Sequence, residues 1–296
     1  MGMSRRSLAL LALSVLAMAV VIAACIGPAI EPLPPHPFWS GPTPRAIAHR
    51  GGRGLWPENT LHAFRSATAL GVDVLEMDLR QTADGEIVVL HDDTVDRTTD
   101  GTGPVASLGL AALQRLDAGY RWTADGGLTH PYRNQGIGVP TLRQVFAALP
   151  QARMNLEIKG RGPAMAVPLC ALIREHAMQA RVAVVAVDQD AIDAFRLACP
   201  QVATGATRNE VVRFALHSAA FLGGRYAPRA QVLQVPERVG WIPVLTERFL
   251  HDARRLNIKV EVWTVNEPSD MRRLIALPVD GLMTDYPDRL LPLPSR

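Results

Sequence analysis

At 296 residues, 48% hydrophobic and 5% aromatic, the chain suits one large α/β domain or two small ones with an aliphatic core. Its formal net charge of +3 is mild and spread along the sequence, so no basic run supports nucleic-acid binding. The three cysteines show no metal-type spacing, and only two of the 31 basic residues are lysines, Lys159 and Lys259, which singles each of them out.

Arg5 and Arg6 precede nineteen residues, Leu8 to Ile26, in which Ser14 is the one clearly polar side chain. A hydrocarbon core ~30 Å thick needs about twenty apolar residues of helix, and a cleaved signal carries only about 7–15. The arginines should stay cytoplasmic and the rest of the chain outside. Ile22-Ala23-Ala24-Cys25 also resembles a lipoprotein processing site at which Cys25 would be lipidated. Residues 1–27 are therefore read as a transmembrane anchor, a lipoprotein signal or a cleaved signal. All three imply export, with the folded domain on the extracytoplasmic side, in a bacterial cell envelope or periplasm, and an anchor or a lipidated Cys25 would add a membrane as partner.

Residues 28–44 follow as a Pro-rich linker. "GPAIEPLPPHPFWSGPTP" (27–44) holds seven prolines, and such a stretch is a semi-rigid spacer reaching roughly 55 Å at about 3.1 Å per residue. It would hold a folded domain off a membrane.

From Arg45 to the end, short apolar runs alternate with amphipathic stretches. Eight strand candidates stand out: "RAIAHRG", "VLEMDLR", "EIVVLHD", "RMNLEIKG", "VAVVAVD", "VATGAT", "QVLQVP" and "VEVWTVN". Most are followed by a helix candidate, which argues for parallel βα units and a closed (β/α)8 barrel over residues 45–296. An open doubly wound sheet is the alternative. The rhythm breaks between about 93 and 140, a Gly-, Thr- and Asp-rich insertion after the third strand that would shape the entrance. Cys170 and Cys199 fall in helix-like segments and are expected to be buried free thiols, although an exported compartment would allow a disulfide.

Chemistry-bearing residues gather at strand ends. His49 and Arg50 end the first strand, and Glu76 and Asp78 lie two apart, hence on one face, in the second. His91 follows the third strand, Glu157 and Lys159 end the fourth, and Trp263 sits on the eighth. Each has a bland reading: acids paired with surface arginines, hydrogen-bonded core histidines, a lysine serving its neighbouring glutamate. Their coincidence at four strand ends outweighs these readings, because a barrel brings such ends to one pocket. Three carboxylates in a dry pocket call for a hard divalent cation. Two histidines suit proton transfer near neutral pH, and Arg50 and Lys159 suit an anionic oxygen. The set describes phosphoester chemistry better than glycosidase chemistry, which needs no such cations. A serine hydrolase would need a G-x-S-x-G turn, which is absent.

"AHRGGRGLWPENT" (48–60), "LEMDLRQTADGEIVVLHDDTVDRTTDGTG" (75–103), "NLEIKG" (155–160), "VEVWTVNEP" (260–268) and "DGLMTDYPD" (280–288) resemble, in order, the signature blocks of glycerophosphodiester phosphodiesterases. The resemblance implies a metal-dependent TIM barrel that releases glycerol 3-phosphate and an alcohol. It implies His49 and His91 as the acid–base pair, and Glu76, Asp78 and Glu157 as ligands of one Ca²⁺ or Mg²⁺. Arg50 and Lys159 would contact phosphate, Trp263 would line the glycerol side, and Glu58 and Asn59 would buttress the site. Ala186-Val187 stands where many relatives have a Ser-Phe pair, which puts the headgroup side in doubt. The apolar stretch 106–116 and the membrane segment also suit a lysophospholipase D-like action on lysolipids. A sphingomyelinase-D-type enzyme and a non-catalytic binder of anionic headgroups fit less well.

Overall fold

The computed structural model describes residues 12–16, 18 and 30–294. Most of the apolar N-terminal run, with Arg5, Arg6 and Cys25, lies outside them. Among the described residues no helix is long and apolar enough to cross a membrane.

The chain order of strands is β1 (Arg45–Ala48), β2 (Val74–Gln81), β3 (Ile87–Val89), β4 (Arg153–Ile158), β5 (Val182–Ala186), β6 (Ala203–Thr204), β7 (Val232–Val235), β8 (Arg238–Val239), β9 (Ile242–Pro243), β10 (Lys259–Val262) and β11 (Gly281–Thr284). Eight of them run side by side in the order β6-β5-β4-β2-β1-β11-β10-β7. The last seam is held by one parallel bridge, Gly205 to Val232, flanked by bonds from Gln231 N–H to Thr204 O and from Ala206 N–H to Val232 O. This nearly closed parallel barrel displaces the open-sheet alternative.

Two strand assignments change. "IVV" is not a barrel strand: β3 folds back antiparallel on β2. The true eighth strand is "GLMT", β11, which pairs with β1 from Arg45–Gly281 to Ala48–Thr284. The insertion still follows the third strand in chain order, but it lies between the second and third strands of the barrel. Trp263 accordingly follows the seventh barrel strand.

Parallel strands are covered on both faces, which is why they read as nearly continuous apolar runs. Leu75, Met77 and Leu79 of β2 point outward into the layer of Phe64, Leu142, Val145 and Phe146. The opposite face points into the barrel. At the bottom that interior is filled by Ile47, Val74, Ala183, Ala203, Val232 and Met283, packed on Phe38 and Trp39.

Those last two residues belong to the stretch expected as a spacer. From Ile30 onward it lies against the barrel floor instead. Ile30 N–H bonds Gly224 O, Leu33 N–H bonds Leu256 O, and a 3-10 turn, Pro37–Trp39, buries its Phe and Trp. Trp39 Nε1 donates to the fully buried Glu261 at 3.3 Å, which also accepts from Asn155 at 2.9 Å and Gln234 at 2.8 Å. Arg45 donates to Phe38 O and Ser40 O. The prolines shape the path, and the aromatic pair anchors it.

The cysteine expectation is also corrected: Cys170 and Cys199 form a disulfide with their Cα atoms 5.5 Å apart. Cys170 lies on the helix Ala166–Glu175 and Cys199 caps its neighbour Gln189–Ala198. Two adjacent outer helices turn these residues into one core, a proximity that crosses a whole βα unit and is invisible to local pattern. The distance lies within the ordinary disulfide range.

Candidate active site

Register builds the acidic cluster. Asp78 of β2 sits beside Glu157 of β4, and Glu76 lies beside Asn155 two residues earlier. On a pleated sheet these three carboxylates share the interior face. One oxygen from each of Glu76, Asp78 and Glu157 lies within 4.8 Å of the others. Burial, then the charges of Asp78 and Glu157, push the Glu76 carboxyl well above its ordinary value. Three acids so placed are electrostatically incomplete. Lys159 bridges part of the deficit, with Nζ 3.1 Å from Asp78 and 2.8 Å from Glu157. Burial opposes its charge, but those two acids hold its ammonium above the usual value. An all-oxygen donor set with negative charge in excess fits a hard divalent cation.

The loop after β1 supplies the other wall. His49–Gly51 form a tight turn in which Arg50 has φ 51°, so its N–H faces Glu76 Oε2 at 2.7 Å. Gly51 follows at φ 79°, and a Cβ there would meet Ala63 Cβ and Phe64 at 2.9 Å. The position admits only glycine. Arg50 binds Glu58 at 2.8 Å and lies 3.3 Å from Asp78. Asn59, itself at φ 58°, grips Asp78 twice: its Nδ2 donates to Oδ2 at 2.8 Å, and its Oδ1 accepts the Asp78 N–H at 3.3 Å.

Both histidines are oriented by a carboxylate. His49 Nδ1 is 2.6 Å from Asp285 Oδ1, and its Nε2 stands 4.0 Å from Glu76. Asp285 is fixed by Arg53 at 2.9 Å and by Asn266, which donates to Oδ2 and accepts the Asp285 N–H. Burial would raise Asp285, but the bonds to His49 and Arg53 hold it below the usual carboxylate range. His91 Nδ1 is 2.6 Å from Asp92, and Arg97 binds both Asp92 and Glu58. Its hydrogen bond, against burial, keeps Asp92 low. With Nδ1 taken, each imidazole keeps Nε2 for a reactant.

Thus His49, Arg50, Glu76, Asp78, Glu157 and Lys159 form one contiguous set. His91 joins it through Asp92, Arg97 and Glu58. Trp263 stands on the rim, 44% exposed. Sequence reading missed Asp285, Asn266, Arg53, Asp92 and Arg97. "DGLMTDYPD" and "HDD" contained the signal, since an acid beside a barrel strand end or beside a histidine is a candidate orienting group.

Glu58 links these parts and has a measurable consequence. Burial alone would raise its carboxyl, but hydrogen bonds from Arg97 and the charge of Arg50 bring it down from 4.5 to about 2. A depressed carboxylate stabilises the fold fully above pH 4.5, and that stability is lost as pH falls toward 2. The shift corresponds to at most about 3 kcal/mol. Urea midpoints measured from pH 6 down to 2.5 should fall more steeply in the wild type than in Glu58→Gln. Parallel curves would show that Glu58 is not held in this way.

Comparison with known proteins agrees with this arrangement. The model of the glycerophosphoryl diester phosphodiesterase family matches residues 49–289. A glycerophosphodiester phosphodiesterase of Caldanaerobacter subterraneus is 32% identical over 258 residues, covering 83% of this chain and 96% of its own. Among solved structures, a glycerophosphoryl diester phosphodiesterase domain from Mycobacterium tuberculosis has a TM-score of 0.74 at 23% identity, covering 84% of this chain and 97% of its own, a likeness of fold. A phosphodiesterase of Oleispira antarctica, solved with the product sn-glycerol-3-phosphate, has a TM-score of 0.66 at 25% identity, covering 84% of this chain and 96% of its own.

Proposed function

The chain belongs to the glycerophosphoryl diester phosphodiesterase family and is a phosphoric diester hydrolase of that kind; from that premise we propose that it cleaves glycerophosphodiesters to glycerol 3-phosphate and an alcohol with His49 and His91 as acid–base pair and one divalent cation, Ca²⁺ or Mg²⁺, at Glu76, Asp78 and Glu157. The observation that carries this reading is the convergence of that carboxylate triad with two histidines, each oriented by its own aspartate. The product held by the Oleispira relative is the one this chemistry would release.

The bound cation would neutralise charge on the phosphate and lower the barrier electrostatically. Arg50 and Lys159 hold the phosphate oxygens, and Trp263 borders the glycerol. The Nε2 of one histidine takes the proton from the glycerol 2-hydroxyl, which attacks phosphorus. The other histidine gives a proton to the leaving alkoxide. Water then opens the cyclic phosphate with the roles reversed. Asp285 and Asp92 keep both rings in the tautomer that this relay requires.

The proposal extends to an exported protein attached to a membrane by residues 1–27, with the barrel on the extracytoplasmic side. The test follows glycerol 3-phosphate release by the full chain from several glycerophosphodiesters, first stripped with chelator, then with Ca²⁺ or Mg²⁺ restored. Release should drop by about tenfold or more on stripping and return with one ion. Undiminished release after stripping would overturn the metal assignment, and no release from the loaded, folded protein would overturn the substrate.

A further inference from the structure

Among the described residues, five exposed large apolar side chains follow the C-terminal ends of barrel strands: Val187, Val239, Trp241, Ile242 and Trp263. Three of them occupy one small hairpin, β8–β9, which leaves the C-terminal end of β7. Val239 is 56%, Trp241 83% and Ile242 51% exposed. The hairpin begins beside Trp263, whose N–H bonds Val235 O.

The tip is presented rather than loose. Glu237 at its base takes a forked ion pair from Arg273 at 2.7 and 2.8 Å and accepts the Val244 N–H at 2.9 Å. Arg238 donates to Trp241 O at 2.6 Å, and Gly240 makes the turn at φ 58°. A fixed backbone that holds a tryptophan in water forgoes the stabilisation that burial of so large an apolar side chain supplies. Another surface recovers it.

Shape and chemistry choose the surface. The hairpin is a narrow convex wedge of six residues, whereas a stable protein partner needs about 800 Å² on each side. A lipid surface closes around a convex apolar wedge. Tryptophan suits the boundary between water and hydrocarbon. Arg238, the one charged residue of the hairpin, has no ion-pair partner among the described residues and is exposed, which favours anionic headgroups.

We propose that the 238–243 hairpin docks the catalytic mouth on an anionic phospholipid surface. There the enzyme reaches diesters that carry an acyl chain, so the inference rests on the phosphodiesterase reading and names a substrate class for it.

Two measurements on the full chain test this. With vesicles containing brominated phosphatidylglycerol, wild-type tryptophan emission should be quenched, and Trp241→Phe should lose most of the quenchable part. Equal quenching in the two proteins overturns docking by this hairpin, as does none in either. Second, the double substitution Trp241→Ser and Ile242→Ser should lower turnover of micellar lysolipid about fivefold or more, equivalent to about 1 kcal/mol. Turnover of soluble glycerophosphocholine should not change. Equal changes on both substrates, or none on either, overturn the proposal. A wild type that cleaves neither substrate overturns the phosphodiesterase reading, while the quenching result still judges the docking.

Discussion

Replacing His49 or His91 by alanine should lower turnover by about 10² to 10⁴, the usual worth of a positioned acid or base, with little change in melting temperature. The separation is expected because the His49 and His91 side chains lie at the mouth, 14% and 31% exposed, and contribute little to the core. The pair also distinguishes its own roles. An aryl alcohol leaves without a proton donor, so the variant lacking the first-step general acid should recover release of that alcohol from an aryl diester and the other should not. Near wild-type turnover by either variant on glycerophosphocholine would sink the assignment.

The second large effect lies at the opposite end of the barrel. Phe38 is fully buried under the floor, and Phe38→Ala should cost about 3–5 kcal/mol. A chain that begins at Arg45 should lose more. It gives up Phe38 and Trp39 together and strips Glu261 of one of its three donors. A buried acid left short of partners carries a further penalty. Urea unfolding of a chain starting at Ile30 beside one starting at Arg45 reads this directly. Matching midpoints would show that the segment only rests on the floor.

Much of the site was legible because side-chain alternation is local. Glu76 with Asp78, and Glu157 with Lys159, announce a shared face at spacing two. The fold was legible as a rhythm but not in every strand. "IVV" has the β-branched composition of a barrel strand, yet a hairpin turn sends it back on β2. "GLMT" is short and framed by aspartates, so its pairing with β1 is evident only once the barrel closes. Asp285 was missed with it. Asp92 was readable as the neighbour of His91, whereas Arg97 looks like a solvated charge in a polar insertion, because its partner Glu58 comes from another segment. The floor was misread through its prolines, although Phe38 and Trp39 were the residues a free spacer would not need.

The charged groups of the site form an unbroken sequence of contacts: His91, Asp92, Arg97, Glu58, Arg50, Asp78, Lys159 and Glu157. Signs alternate along it when the histidine is protonated. A change at one link therefore re-poises the rest, and the effects of paired substitutions in this chain of contacts should not sum. The end at Lys159 and Glu157 is thereby joined to the end at His91 by direct contacts. The energy of catalysis here belongs to the network and cannot be apportioned among its members.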